Sequence, residues 1–455
     1  MSVTKTDICV IGAGSGGLSV AAGAVQMGAR VVLIEAGEMG GDCLNTGCVP
    51  SKALLHAACA GMDWQDAHDH VRATIAAIAP HDSVERFEGL GVRVIKGFAR
   101  FTGPREVAVN GETIRARRIV IATGSRPRLP AIAGLEDVPC LTNETIFALA
   151  ERPEHLLILG AGAVGLEMAE AHRRLGCEVT VLEAARAMGR DDPEAVAVVL
   201  AALRARGVRI EEDMPVVRAQ GGDGRITLTT ADGARITGSH LLVATGRAPA
   251  IEGLDLDKAG VEAGSGGIVV DTRLRSTNRR IHAIGDVTGG AQFTHVAGYQ
   301  AGVIIRAMLF GLPAKARADH IPHALYTAPE LAQVGLTEAE ARARYGDGVE
   351  IARAAFSGND RAVATGETAG FLKVMVHKGR PVGATLVGAG AGEQIALWAL
   401  ALSGRQKLSA IAGIVVPYPT MAEISKRAAG VYFAPRLFDN KTVKRVVRAV
   451  QTILP

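Results

Sequence analysis

Apolar residues along this chain gather in short runs closed by glycine or charge. Asp7-Ile-Cys-Val-Ile-Gly12 reads as a first strand running into a turn, followed by Gly12-Ala-Gly14-Ser-Gly-Gly17, an Ala-rich helix to about Met27, and a strand Arg30 to Ile34 ending at Glu35. The unit returns downstream. Leu156 to Leu159 enters Gly160-Ala-Gly162-Ala-Val-Gly165, then a helix to about Leu175 and a strand Glu178 to Leu182 ending at Glu183. In both copies the acid lies 23 residues after the first glycine, and the copies stand 148 residues apart. The first glycine makes a tight turn, the second lets backbone approach a pyrophosphate, and the third lets helix pack on strand. Phosphates then sit on a helix amino end, where free N–H groups and the macrodipole favour negative charge, and the acid accepts from ribose hydroxyls. Two complete units predict two dinucleotides.

Further runs echo each other. Arg118-Ile-Val-Ile-Ala-Thr-Gly124 and His240-Leu-Leu-Val-Ala-Thr-Gly246 each read as a buried strand ending in a small-residue turn that closes its domain. Ile281-His-Ala-Ile-Gly-Asp286 is a third strand element, placing Asp286 to bind a hydroxylated chain ahead of a helix from His295 to Leu309. The longest apolar stretch, Ala195 to Leu203, is far shorter than the ~18 residues a membrane span needs, and the amino end lacks a signal pattern, so a cytoplasmic protein is expected. At the other end, Val443, Val446, Val447, Val450 and Leu454 fall at helical spacing with Lys441, Lys444, Arg445 and Arg448 off that stripe. This tail reads as a surface helix packed on its own dimer, or as a weak peripheral contact with an acidic membrane or partner.

Composition narrows the function. Of 455 residues, 50 are Lys or Arg and 46 Asp or Glu, and only 10 Phe, 5 Tyr and 2 Trp are available to stack on bases, which argues against nucleic acid as a partner. The 55 glycines with only 18 prolines point to backbone that approaches a ligand closely rather than to low complexity. Six cysteines are too few for a disulfide scaffold, so the close pair Cys43 and Cys48 reads as chemical. Cys9, Cys59, Cys140 and Cys177 read as buried core thiols.

The pair lies in Gly40-Gly-Asp-Cys43-Leu-Asn-Thr-Gly-Cys48-Val-Pro-Ser-Lys52. In a regular helix, residues five apart have Cα atoms about 8.6 Å apart, beyond the ~7 Å disulfide limit. Cys43 is therefore expected on an irregular approach through Gly47, with Cys48 near the start of a helix that tolerates Pro50 in its first turn. A helix amino end lowers a thiol pKa, making Cys48 the stabilised thiolate and Cys43 the exchanging thiol. Zinc is the competing chemistry, but no second Cys or His pair accompanies this one, and no metal site is assigned. Nicotinamide passes a hydride and does not readily cleave a disulfide, whereas a flavin can do both steps. One dinucleotide is then FAD, beside the cysteines, and the other NAD(P)H. Asp42 offers a carboxylate beside Cys43, as a base or as a loop cap.

From Asp7 to about Gly430 the chain resembles the flavoprotein disulfide reductases, the family of dihydrolipoamide dehydrogenase, glutathione reductase and mercuric reductase. The most specific motif is Gly40 to Lys52, with Asp42 where Thr is usual. The resemblance implies an α/β fold: two Rossmann-like FAD- and NAD(P)-binding domains plus an α+β C-terminal dimerisation domain. The expected boundaries are 1–149 with 274–318 for FAD, 150–273 for NAD(P), 319–430 for the dimer domain and 431–455 for the basic tail. It implies that Gly12, Gly14, Gly17, Glu35, Thr123, Gly124 and Asp286 bind FAD, while Gly160, Gly162, Gly165 and Glu183 bind the nicotinamide dinucleotide. Lys52 would pair with Glu167 beside the flavin, and Thr294 and His295 would stand near its pyrimidine end, although His295 also reads as a plain helix cap. Glu183 would repel a 2′-phosphate and favours NADH; Arg186 and Arg190 keep NADPH open.

Family members form homodimers in which His-Pro-Thr-x-x-Glu enters the partner's active site as the acid/base pair. This chain has Tyr418-Pro-Thr-Met-Ala-Glu423, which keeps Glu423 and replaces the base. A Tyr of pKa about 10 is only ~0.1% ionised at pH 7, and a lost general base typically costs about 10²–10⁴-fold. The resemblance thus implies an enzyme passing electrons from NADH through FAD to Cys43–Cys48 and on to a disulfide-type small molecule. The alternatives are a metal ion or quinone as acceptor, or a complex-bound or redox-sensing flavoprotein of low turnover. Mercuric reductases place Tyr at this position but end in a Cys pair, and no cysteine follows Cys177 here.

Overall fold

The computed structural model describes residues 3–454. Strand β1 (Val3–Ile11) leads through the first glycine turn into helix α1 (Ser15–Gln26) and strand β2 (Val31–Glu35). Next come a one-turn helix α2 (Gly41–Asn45), then α3 (Cys48–Cys59) and α4 (Trp64–Ile78), and later a long strand β3 (Glu112–Ile121). β1 pairs in parallel with β2 on one side and β3 on the other, and Ile281–Ala283 adds to β3 in parallel. Ile8 and Val10 pack into one apolar cluster and Cys9 and Ile11 into another. Both faces of the sheet are therefore covered, which is why its strands are apolar without alternation.

Beyond β3 the Ala-Thr-Gly124 turn opens into β4 (Ser125–Pro127), and the second nucleotide unit follows as β5 (His155–Leu159), α5 (Ala163–Arg174), β6 (Glu178–Leu182) and β7 (His240–Val243). β5 lies between β6 and β7 in a parallel sheet, as β1 lies between β2 and β3. After Ala-Thr-Gly246, β8 (Arg247–Pro249) pairs antiparallel with β4, so the exits of the two units are joined. Thr123 donates to the Ala250 carbonyl (2.7 Å) and Thr245 to the Arg128 carbonyl (3.1 Å), a reciprocal tie made by the same residue of each repeat. Helix α6 (Thr294–Phe310) packs on α1.

These elements form one compact unit, the chain to Ala185 with Glu211–Arg317; the other comprises Arg186–Ile210 and the chain from Ala318. The second holds an antiparallel sheet whose strands are β9 (Pro322–Leu325), β10 (Glu330–Gly335), β11 (Val349–Ala355), β12 (Phe371–His377) and β13 (Arg380–Gly388), ordered β9-β10-β13-β12-β11. Helices α7 (Ala391–Ser403) and α8 (Glu423–Phe438) share a core with it around fully buried Trp398 and Phe356. Lys373, 3% exposed, is held by Asp192 (2.9 Å), Glu194 (2.8 Å) and Glu338 (3.1 Å). Helix α9 (Lys441–Ile453) buries no residue, and Val446, Val447, Val450, Ile453 and Leu454 are all exposed.

Three local expectations change. Cys43 sits inside the helical turn α2 rather than on irregular chain; the break falls at Thr46-Gly47, where Gly47 has φ −127° and ψ −112°. The run Gly388-Ala-Gly-Ala-Gly392 reads in sequence as a surface turn, but Gly388 ends β13 against Phe356, whose ring lies 2.2 Å from where a Cβ would stand. The tail helix begins at Lys441 after an Asn440 cap, and the boundary expected at 431 lies inside α8.

Candidate active site

The two glycine turns match atom for atom. A Cβ on Gly12 would meet the Ala122 carbonyl oxygen at 2.4 Å and one on Gly160 the Ala244 oxygen at 2.5 Å, and these glycines have φ +101° and +103°. A Cβ on Gly17 would stand 1.9 Å from the Gly12 oxygen, and one on Gly165 would stand 2.0 Å from the Gly160 oxygen. Gly14 and Gly162 differ from both: each is an N-cap with no side-chain partner and with nothing within 4 Å of its Cβ position. The first and third glycines are required by the protein itself, whereas the second leaves open space before bare helix N–H groups. Neither helix has an acid in its first turn. A pyrophosphate fits both places.

The acids tie these turns down. Glu35 accepts from the N–H groups of Ala13 (2.5 Å) and Gly37 (2.6 Å), and Glu183 from those of Ala161 (2.8 Å) and Ala185 (3.1 Å). Each carboxylate retains lone pairs for a ribose.

The cysteine segment is docked on the first turn. Gly40 N–H donates to the Ala13 carbonyl (3.0 Å), Gly14 and Gly40 form a parallel bridge, and a Cβ on Gly41 would lie 2.9 Å from Gly14 Cα. Cys48 opens α3, and its sulfur lies 3.4 Å from Thr294 Oγ1 at the start of α6. Cys43 bonds to Cys48, which with Thr294 and the Lys52 charge pulls the Cys48 thiol down to about 6; burial and the Glu167 charge oppose this. The Cys43 thiol is pushed up by the same Cys48 bond, by burial and by the charge on Cys48. The two opposite shifts make Cys48 the sulfur that ionises first. Lys52 Nζ, one turn along α3, lies 2.8 Å from Glu167 Oε2 on α5, whose side chain is 4% exposed.

Asp42 is committed to structure. It accepts from Thr46 Oγ1 (2.8 Å) and Asn143 Nδ2 (2.8 Å) and lies 3.2 Å from Arg247. Arg247 also donates to Ser125 Oγ (2.7 Å) and Asn143 Oδ1 (3.1 Å), and Ser125 donates to Asp286 (2.6 Å). Burial raises the Asp286 carboxyl against the Ser125 bond. Ser125, Asn143 and Arg247 were not anticipated, yet Ser125 and Arg247 are the residues that follow the two Ala-Thr-Gly turns. Gly124 has φ +72° and open space at its Cβ. His295 stacks on Phe293, with ring centroids 5.3 Å apart.

The sequence pattern of the pyridine nucleotide-disulphide oxidoreductases matches residues 6–301, and that of their dimerisation domain matches residues 321–429. The chain belongs to this family. It is 36% identical to a mercuric reductase of Streptomyces lividans over 94% of this chain and 96% of that one. It is also 36% identical to a dihydrolipoyl dehydrogenase of Thermus scotoductus, over 93% and 96%. Among solved structures, the Cu(II) complex of the HOCl-induced flavoprotein disulfide reductase RclA from Escherichia coli superposes with a TM-score of 0.88 at 28% identity, covering 94% of this chain and 99% of that one. As a pyridine nucleotide-disulphide oxidoreductase the protein is an enzyme of FAD and NAD(P)H, with two nucleotide domains, and its dimerisation domain implies a homodimer.

In this oxidoreductase the second compact unit carries Tyr418 and Glu423. Tyr418 is 71% exposed and donates to Asp360 (2.8 Å), a bond that raises its pKa further. Glu423 opens α8 and accepts from Thr420 N–H (3.4 Å). Among the remaining cysteines, burial pushes Cys9 up to about 12 and Cys177 up to about 11. Two cysteines depart from the expected pattern: Cys59 ends α3 and is exposed, because the helix C-terminus reaches the surface, and Cys140 is only half-buried at the edge of its cluster. No helix among the described residues is long and apolar enough to cross a membrane.

Proposed function

We propose that this oxidoreductase passes electrons from NADH to a thiophilic metal ion held transiently by Cys43 and Cys48. Tyr418 carries the reading. Its exposed hydroxyl is bonded to Asp360 and keeps its proton, so it supplies no base at neutral pH, and a metal bound as a thiolate complex needs none. Soft metals prefer thiolate ligands, and Cys48 is already ionised at pH 7.

FAD, when bound, would supply the two-electron chemistry that links NADH to the Cys43–Cys48 disulfide. The protein's own groups do the rest. Gly12, Gly14, Gly17 and Glu35 would hold the FAD pyrophosphate and ribose, with Thr123, Gly124 and Asp286 along its chain, while Gly160, Gly162, Gly165 and Glu183 would hold NADH. Glu183 selects NADH because its fixed carboxylate would face a 2′-phosphate. Lys52 and Glu167 form a fixed charge pair at the cysteines, with Thr294 and His295 at the start of α6. Two electrons reduce one Hg(II) to the metal or two Cu(II) to Cu(I), and the sulfurs return to the disulfide. The mercuric reductase relatives and the Cu(II) complex of RclA lend support.

The second reading is a disulfide acceptor of the lipoamide kind, favoured by the similarity to the Thermus dihydrolipoyl dehydrogenase. NADH oxidation should be followed with Hg(II) in excess thiol, with Cu(II) in the absence of added thiol, and with lipoamide, oxidised glutathione and quinones, in wild type, Cys43→Ser and Tyr418→His. Metal turnover should exceed lipoamide turnover at least tenfold and vanish in Cys43→Ser, and lipoamide turnover should rise at least tenfold in Tyr418→His. Lipoamide as the fastest wild-type acceptor would replace the first reading with the second. Quinone turnover that survives Cys43→Ser would move electron exit to the flavin.

A further inference from the structure

At the end of α6 remote from Thr294 there is a cavity of about 390 Å³ that none of the chemistry above uses. Seventeen residues of helix separate its two ends, about 25 Å of rise. Arg118, Arg273, Arg275, Arg279 and His282 line it together with the apolar Met308, Leu312 and Pro313. Arg275 is paired with Asp271 (2.6 Å). Among the described residues the remaining three guanidiniums make no ion pair, and Arg105, Arg117 and Arg280 lie near enough to repel Arg118. This much charge exceeds the half unit that balances a helix C-terminus.

Two further observations mark the cavity as built. His282 is 4% exposed, yet its Nδ1 is buried without any hydrogen-bond partner, a costly state for a ring that could have been apolar. Between Arg273 and Arg275, Leu274 is buried and held at φ +61°, a conformation that a branched side chain rarely adopts. The turn is fixed by Leu274 N–H to the Asp271 carbonyl (2.8 Å) and Asp271 N–H to the Arg275 carbonyl (3.0 Å), and it sets both arginines on the cavity.

We infer that this cavity is a second anion site, separate from both dinucleotide sites, which binds a diphosphate-bearing small molecule through Arg118, Arg273 and Arg279. Planar guanidiniums match phosphate oxygens bidentately, three positive charges outside ion pairs match a diphosphate, and the apolar lining residues take the body that carries it.

The probes are inorganic pyrophosphate and ADP, titrated calorimetrically into the FAD-loaded dimer with NAD⁺ saturating. Both should bind once per chain, and Arg273→Ser/Arg279→Ser should weaken both at least tenfold while NADH still reduces the flavin at the wild-type rate. Arg273 and Arg279 are exposed, so the double variant is expected to fold; its unfolding midpoint, matched to wild type, checks this. Unchanged affinity in the double variant, or binding seen only when NAD⁺ is left out, would overturn the assignment.

Discussion

Cys43→Ala tests what holds the Cys48 thiolate. The bond from Cys43 is the largest cause of the Cys48 pKa falling from 9.0 to about 6, ahead of Thr294 and the Lys52 charge. A hydrogen bond to a charged group is worth about 1.5–3 kcal/mol, which is about 1–2 pKa units. The midpoint for Cys48 should therefore move from near 6 to between about 7 and 8, and the thiolate fraction at pH 7 should fall from about nine-tenths to half or less. The assay is the rate of iodoacetamide alkylation at Cys48 in the reduced holoenzyme of wild type and variant, followed against pH by peptide mass spectrometry. Because the folded pKa is depressed, the thiolate and its contribution to stability are present at high pH and lost as pH falls through about 6. The fading of long-wavelength absorption from a thiolate beside flavin should follow the same curve. A Cys43→Ala midpoint still near 6 would refute the reasoning and assign the shift to the α3 amino end and Lys52.

Other outcomes follow from the same geometry. Gly17→Ala and Gly165→Ala should fail to fold or lose more than 10 °C of unfolding midpoint, on the order expected for backbone overlap, because each Cβ would fall about 2 Å from a carbonyl oxygen. Gly14→Ala and Gly162→Ala should keep the wild-type midpoint of the apoprotein but weaken FAD and NADH binding respectively, by at least tenfold, read by flavin fluorescence and equilibrium dialysis. Buried His172, depressed to about 4 by burial, should cost stability as pH falls below about 6.5, reaching about 3 kcal/mol near pH 4. Urea midpoints of wild type and His172→Gln between pH 7 and 4.5 check this, and a flat wild-type profile would contradict it. Deleting residues 440–455 should leave the dimer intact in sedimentation, since α9 buries nothing within its own chain; dissociation would show that the partner covers its valine face.

What could be read in advance was whatever repeats or is bounded by sharp chemistry. The two strand–turn–helix units were visible because glycine placement and apolar runs are local rules, and β1, α1, β5 and α5 fall within a few residues of their expected ends. The turn that carries Cys43 was misjudged because excluding one continuous helix across Cys43 and Cys48 does not exclude two helices broken at Gly47. Gly388 could not be placed because its need for glycine comes from Phe356, 32 residues earlier in sequence. The Arg247 network stayed hidden for the same reason: Asp42, Ser125, Asn143, Arg247 and Asp286 are far apart in the chain and meet only in the fold.

Gly14 and Gly41 touch backbone to backbone, with no side chain between them to absorb a change. The first glycine turn and the segment that carries Cys43 and Cys48 therefore share a backbone surface. Transplanting the cysteine segment into another two-dinucleotide scaffold would fail unless the first glycine turn travelled with it. A graft spanning residues 12–52 would carry both halves of that contact.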